Sequence, residues 1–176
     1  MRVLGFVLCI LPVLAWAGLY DLKERSIEGP DFDFKKLQGK VVLISNIASQ
    51  CGYTPQLEKL EALYKKYKDK NVVVLGVPTN DFGSQTPEDD VNMKQFCQKN
   101  YSVTFPLLTK QTVKGEEMRP LYKYLTKDSA KLYQGDIDWN FEKFLVNKKG
   151  EVVGRYKSSV DPMDKEITSK IESLIK

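Results

Sequence analysis

Cys51 is the side chain best placed to do chemistry. It follows Val41-Val-Leu-Ile-Ser-Asn-Ile-Ala-Ser-Gln50, an apolar run rich in β-branched residues that ends in small polar ones. Pro55 comes next, with Leu57, Leu60, Leu63 and Tyr67 at helical spacing. The pattern predicts a strand, a turn and a helix, with the thiol on the turn. Unpaired N–H groups and the macrodipole at a helix start favour the thiolate, which is the nucleophilic form. Beyond the carboxyl end of a strand is also where open α/β sheets bind ligands. A cysteine at a strand end is often a small buried hydrophobe instead, so the rest of the chain has to decide.

The rest of the chain narrows the chemistry by what it lacks. Among 176 residues there are three cysteines and no histidine. No Cys-His or Ser-His-Asp constellation can be built, and no zinc site of the usual Cys/His kind. Cys9 lies in a leader pattern: Met1-Arg2, an apolar stretch from Val3 to Leu14, then Ala15-Trp16-Ala17 as a cleavage site. Residues 1–17 therefore read as a cleaved signal peptide and residues 18–176 as the mature domain, periplasmic, secreted or in a secretory lumen. The apolar stretch is shorter than the roughly 20 residues of a membrane span, so no stable membrane insertion is expected. Cys51 and Cys97 remain, and an oxidising compartment allows them to be a structural bridge or a redox pair.

Roughly 160 residues suit one domain with a substantial core. The net charge of +4 is spread over lysines mixed with acids, and the densest run, Tyr64 to Lys70, closes the first helix. Cations belong there on dipole grounds, which favours a solvated helix end over a nucleic-acid patch.

The elements that must position Cys51 can be read in order. Asp31 to Phe34 suggests a short strand, and Leu37 to Lys40 a turn. The strand Val41 to Ala48 is nearly all apolar, as in a sheet covered on both faces. Asn71 then leads into a second such strand, Val72 to Val77, giving a β-α-β unit. Pro78 to Pro87 is a loop leaving the same sheet end as Cys51. Thr86 to Asp89 caps a helix running to about Tyr101, with Val91, Phe96 and Tyr101 as inward positions. Phe105 to Leu108 is a short extended passage, and a helix spans Arg119 to Thr126. Asp138 to Val146 and Gly150 to Tyr156 form a hairpin through Asn147-Lys-Lys-Gly150. A helix from Asp161 carries Ile167, Ile171, Leu174 and Ile175 on one side and should pack on the sheet.

This order is the thioredoxin arrangement: an α/β fold with a central mixed sheet flanked by helices in a single domain. Asn46 to Thr54, Asn80-Asp-Phe-Gly-Ser-Gln85 and Trp139-Asn-Phe-Glu-Lys-Phe-Leu-Val146 resemble the three signatures of the glutathione peroxidase family, in order and with compatible spacing. The resemblance covers essentially the whole mature chain. It implies reduction of hydrogen peroxide and organic or lipid hydroperoxides at Cys51, with a sulfenic acid as intermediate. No metal or organic cofactor is implied; the co-substrate would be glutathione or a thioredoxin-like protein. The indole N–H of Trp139 and the amide of Asn140 would point at the sulfur and stabilise its thiolate. Where the family usually has glutamine, this chain has Asp81. An ionised Asp81 would oppose the thiolate, a protonated one could donate, and it could also act as a base or turn away. Gln85, in the same motif, is given no role.

Cys97 has two readings. Thioredoxin-dependent members place a resolving cysteine in this helical region before a Phe-Pro pair, present here as Phe105-Pro106, although counting back from that pair lands on Gln98. Cys97 also shares a helical face with Met93 and Tyr101, which suits a buried structural residue. The segment between Lys127 and Trp139 lacks the long insertion that builds tetramer contacts in many animal members, which favours a monomer. A thiol-disulfide exchange protein is disfavoured, because Cys51-Gly-Tyr-Thr54 ends in threonine where a thioredoxin has its second cysteine. A binding module on the same fold is the non-catalytic alternative.

Overall fold

The computed structural model describes residues 18–176; the leader reading of residues 1–17 lies outside them. An antiparallel ribbon comes first, β1 (Lys23–Arg25) paired with β2 (Asp31–Asp33). The main sheet is built from β3 (Val41–Ile47), β4 (Val72–Pro78), β5 (Lys143–Val146) and β6 (Val152–Tyr156), in the order β4-β3-β5-β6. β3 and β4 run parallel from Val41↔Val72 to Ile47↔Pro78, while β5 is antiparallel to both β3 and β6. This is the expected thioredoxin-like mixed sheet.

Every residue of β3 is buried, because helices cover both faces. Val41, Leu43 and Ile47 pack with α1 (Gln56–Tyr67), α2 (Asp90–Tyr101) and α4 (Lys165–Ile175). Val42 and Ile44 pack with Phe34, Leu37 and α3 (Pro120–Lys123), which continues as a π turn from Tyr124 to Asp128. In α1 the predicted stripe Leu57, Leu60, Leu63 and Tyr67 is fully buried, each side chain contributing about 2 kcal/mol relative to exposure. Asn71 ends that segment in the left-handed conformation, turning the chain into β4.

Three expectations are corrected. In α2 the fully inward residues are Met93 and Cys97, and Phe96 and Tyr101 pack half-buried against the same core with their rings tilted at 5.7 Å, whereas Val91 is 63% exposed. The four-residue spacing of Met93 and Cys97 sets the buried face, and Val91 lies off it. The strand expected from Asp138 starts only at Lys143, because Phe141 adopts φ 65° and breaks the extended run. Helix α4 starts at Lys165 rather than Asp161, capped by Asp164, which accepts the Glu166 N–H at 2.8 Å. The Phe105–Leu108 passage does lie along β4: the Gly76 N–H donates to Pro106 O, and the Leu108 N–H to Gly76 O.

Candidate active site

The strand-to-helix connection carries Cys51 at its start. After β3 the chain passes through Ala48, Ser49 and Gln50, and residues 52–55 form successive turns before α1. The Thr54 N–H donates to Cys51 O at 2.9 Å, Gln56 to Tyr53 O at 2.9 Å and Leu57 to Thr54 O at 3.0 Å, so the turns feed directly into the helix. Thr54 Oγ1 ties them down: it accepts the Cys51 N–H at 3.0 Å and donates to Ala48 O at 3.0 Å. Cys51 is 7% exposed, and its Sγ accepts the Tyr53 N–H at 3.4 Å. The polarised amide that meets the sulfur therefore belongs to the turn ahead of the helix. An N–H donor to sulfur favours the charged thiolate.

The second wall comes from the segment before β5. The Phe141 N–H donates to Asn46 O at 2.7 Å, and Asn46 Nδ2 donates to Trp139 O at 3.0 Å. The left-handed Phe141 makes this possible, since it turns Trp139 and Asn140 off the strand line onto the end of β3. Trp139 is 39% exposed, its ring tilted against Phe82 at 5.7 Å. Asn140 is fully buried, and its Nδ2 donates to Gln85 Oε1 at 3.0 Å while Oδ1 has no partner. Among the described residues the donor on Sγ is the Tyr53 N–H; the Trp139 indole and the Asn140 amide make no hydrogen bond to it.

The third wall is the loop after β4. Asp81 turns neither to the thiol nor to open solvent: its carboxylate accepts the Val113 N–H at 2.6 Å. Gln85 is the residue that sequence reasoning passed over. Its carbonyl accepts the Gln50 N–H at 2.9 Å and the Ser49 hydroxyl at 3.2 Å, and its side chain holds Asn140. The only signal in the sequence was its place in the same short motif as Asp81. Ser49 also donates to Glu88 at 2.5 Å, which docks the chain entering α2 onto the Cys51 turn.

Cys97 is a free, fully buried thiol in α2, and Cys51 is also unpaired. Burial pushes the Cys97 thiol up to about 12, with the Glu88 carboxylate adding to the effect. As it stands it is a poor nucleophile. It lies one turn from the end of its helix, where the Ser102 and Val103 N–H groups close on Gln98 O and Cys97 O.

Comparison with known proteins bears on the family of the chain. The family model described as glutathione peroxidase matches residues 19–126. The glutathione peroxidase-like peroxiredoxin gpx1 of Schizosaccharomyces pombe is 49% identical over 156 residues, covering 89% of this chain and 98% of that protein. The hydroperoxy fatty acid reductase gpx1 of Synechocystis sp. is 43% identical over 163 residues, covering 89% and 95%. The crystal structure of Trgpx in its apo form superposes with a TM-score of 0.72 at 37% identity, covering 90% of this chain and 95% of that one.

Proposed function

Since the chain belongs to the glutathione peroxidase family and is a thiol-dependent peroxidase, we propose that Cys51 is the thiol that meets the hydroperoxide, and that Cys97 resolves the product. The observation that carries this reading is the placement of Cys51 on a buried turn with the Tyr53 N–H on its sulfur. The thiolate attacks the distal peroxide oxygen, the O–O bond breaks and an S–O bond forms. Sulfur is oxidised by two electrons to the sulfenic acid, and the departing oxygen takes a proton and leaves as water or an alcohol. Electrons come from a thiol reductant rather than a prosthetic group.

In the resolving step the Cys97 sulfur attacks the Cys51 sulfenic sulfur, an S–S bond forms, the S–O bond breaks and water departs. The buried thiol reaches that position when the last turn of α2 opens, and its nearness to the helix end favours this route. The resulting disulfide is a substrate for a thioredoxin-like protein; glutathione is the reductant if resolution is external. The thiol-disulfide exchange alternative is weakened by Thr54, whose hydroxyl is engaged on both sides as a structural clamp.

Fatty-acid hydroperoxides are included in the substrate range, supported by the Synechocystis relative named for that reaction. The leader pattern supports a mature protein exported from the cytoplasm, and the short 127–139 segment supports a monomer. The deciding experiment is intact mass after one equivalent of hydrogen peroxide. Loss of two hydrogens in the wild type, replaced by a trapped sulfenic acid in Cys97→Ser, is expected. Sulfenic acid in both removes Cys97 from the mechanism, and an unreactive Cys51 overturns the assignment of the nucleophile.

A further inference from the structure

Three carboxylates tied into the core are each matched by a cation. Glu24 meets Arg119 at 2.9 Å, Glu61 meets Lys65 at 3.3 Å and Glu142 meets Arg155 at 3.0 Å, and further donors from Gln111, Thr104 and Asp138 face them. Glu88 is different. It is half-buried, and among the described residues its carboxylate has one donor, the Ser49 hydroxyl at 2.5 Å, and no ion-paired lysine or arginine. A carboxylate oxygen is left able to take a proton.

The placement of Glu88 gives that capacity a use. Ser49 lies two residues before Cys51, so the carboxylate sits on the turn that carries the first sulfur. Its main chain is fixed as well: Lys110 Nζ donates to Glu88 O at 2.7 Å and to Thr86 O at 3.2 Å, while Asp90 accepts the Lys110 N–H at 2.7 Å. Asp89 then caps α2 through the Asn92 N–H at 2.8 Å. The start of α2 is therefore anchored, and Cys97 lies toward its other end, in the buried cluster that also contains Cys51. When that end opens, Cys97 moves while Glu88 stays beside the sulfur to be attacked. The other charged side chains of α2 and its cap are already engaged: Lys94 by Glu28 at 2.9 Å, Lys99 by Gln95 at 3.3 Å, and Asp89 and Asp90 by backbone N–H groups. The incoming thiol needs a proton acceptor. Burial and the Glu88 charge push Cys97 up to about 12, so at neutral pH about one such thiol in 100,000 is ionised.

Resting on the proposed resolving role of Cys97, we infer that Glu88 is the general base of the resolving step, taking the Cys97 proton as that sulfur attacks the Cys51 sulfenic acid. The S–S bond forms, the Cys97 sulfur is oxidised and the Cys51 sulfur reduced. The S–O bond breaks with its electron pair on oxygen, which collects the proton from Glu88 and leaves as water. The carboxylate returns to its ionised form. A negative charge that opposes a free Cys97 thiolate thus assists once the proton is shared during bond formation.

The test mixes the protein with one equivalent of hydrogen peroxide, quenches at intervals and reads intact mass. Gain of one oxygen reports oxidation of Cys51; loss of two hydrogens relative to the reduced protein reports the disulfide. Glu88→Gln is expected to slow the second step at least about 10-fold at neutral pH, and the first far less. Without the base, the second step waits on ionisation of the thiol and should quicken about tenfold per pH unit, with a shallower response in the wild type. Glutamine keeps an acceptor for Ser49, so a purely structural role would leave this variant unchanged. Ser49→Ala removes the hydrogen bond but keeps the carboxylate, and should retain most of the second-step rate. A Glu88→Gln disulfide forming at the wild-type rate, an equal loss in Ser49→Ala, or one pH profile for both proteins would overturn the inference while the two-cysteine reading stands. A wild type that stops at the sulfenic acid would overturn the resolving role of Cys97 and the inference with it.

Discussion

Replacing Lys143 with methionine should remove a specific alkaline gain in stability. The Lys143 amine is fully buried in β5, donating to Ser158 O at 3.2 Å and Val160 O at 2.5 Å. Ser158 O also receives Gln56 Nε2 at 2.7 Å, so the amine helps seat the first turn of α1. Burial lowers the lysine from 10.5 to about 8, against Asp161 and Glu142, whose charges act the other way. A base whose pKa is lower in the fold sheds its proton first in the folded state. Between about pH 8 and 10.5 the unfolded chain therefore holds more protons, and stability rises with pH across that window. Below it the fold carries the full cost of the charge, about 3 kcal/mol at about 1.4 kcal/mol per tenfold change in proton affinity. Relative to pH 7, the recovery is about 1 kcal/mol at pH 9 and about 2 kcal/mol at pH 10. Guanidinium unfolding of wild type and Lys143→Met, under a reductant and at several pH values from neutral to 10, isolates the effect. The buried Tyr122 and the half-buried Tyr124, both raised by desolvation, oppose folding at the alkaline end, but equally in both proteins. The difference between the two proteins should move toward wild type by about 1 kcal/mol from pH 7 to 9. A difference that stays constant refutes the reasoning.

Two further outcomes follow from the packing. In a Cys51→Ser background, Cys97 should react with an aromatic disulfide at pH 8 about 1000-fold more slowly than a free thiol, and at once in denaturant; immediate labelling of the native protein would show the thiol to be accessible. Gly76→Ala places a Cβ 2.6 Å from Leu107 Cδ2 and 3.0 Å from Phe105 Cε2. It should cost about 1–3 kcal/mol in chemical denaturation, and an unchanged midpoint would mean that the passage beside β4 yields freely.

The elements around Cys51 were legible because local and global signals agree there. An apolar β-branched run, a proline and a helical leucine stripe all describe the same strand, turn and helix. The walls of the site were harder to read. Trp139 and Asn140 sit in a sequence that looks like a continuous strand, and nothing in residues 138–146 announces that Phe141 takes a left-handed backbone. What holds it is tertiary, the bond to Asn46 O at 2.7 Å. Gln85 was passed over for a similar reason: its reach depends on two left-handed residues, of which only Gly83 is a conventional signal. Val91 misled because β-branched residues suggest burial, while the helix face is chosen by Met93 and Cys97. Lys143 lies on the inward side of a strand, and only the carbonyls of Ser158 and Val160 make that tolerable.

On the proposed resolving role, the seating of Cys97 within the last turns of α2 sets a clock. A sulfenic acid on Cys51 waits for that segment to open, and during the wait a second hydroperoxide can oxidise the same sulfur to the sulfinic state, beyond the reach of a thiol. The outcome depends on a ratio between the opening rate of the helix end and the arrival rate of oxidant. At low peroxide the protein turns over; above a threshold it stops and remains as a record of the exposure. That threshold is set by how firmly the Ser102 and Val103 amides hold the end of a helix, so substitutions there tune oxidant tolerance without touching either sulfur.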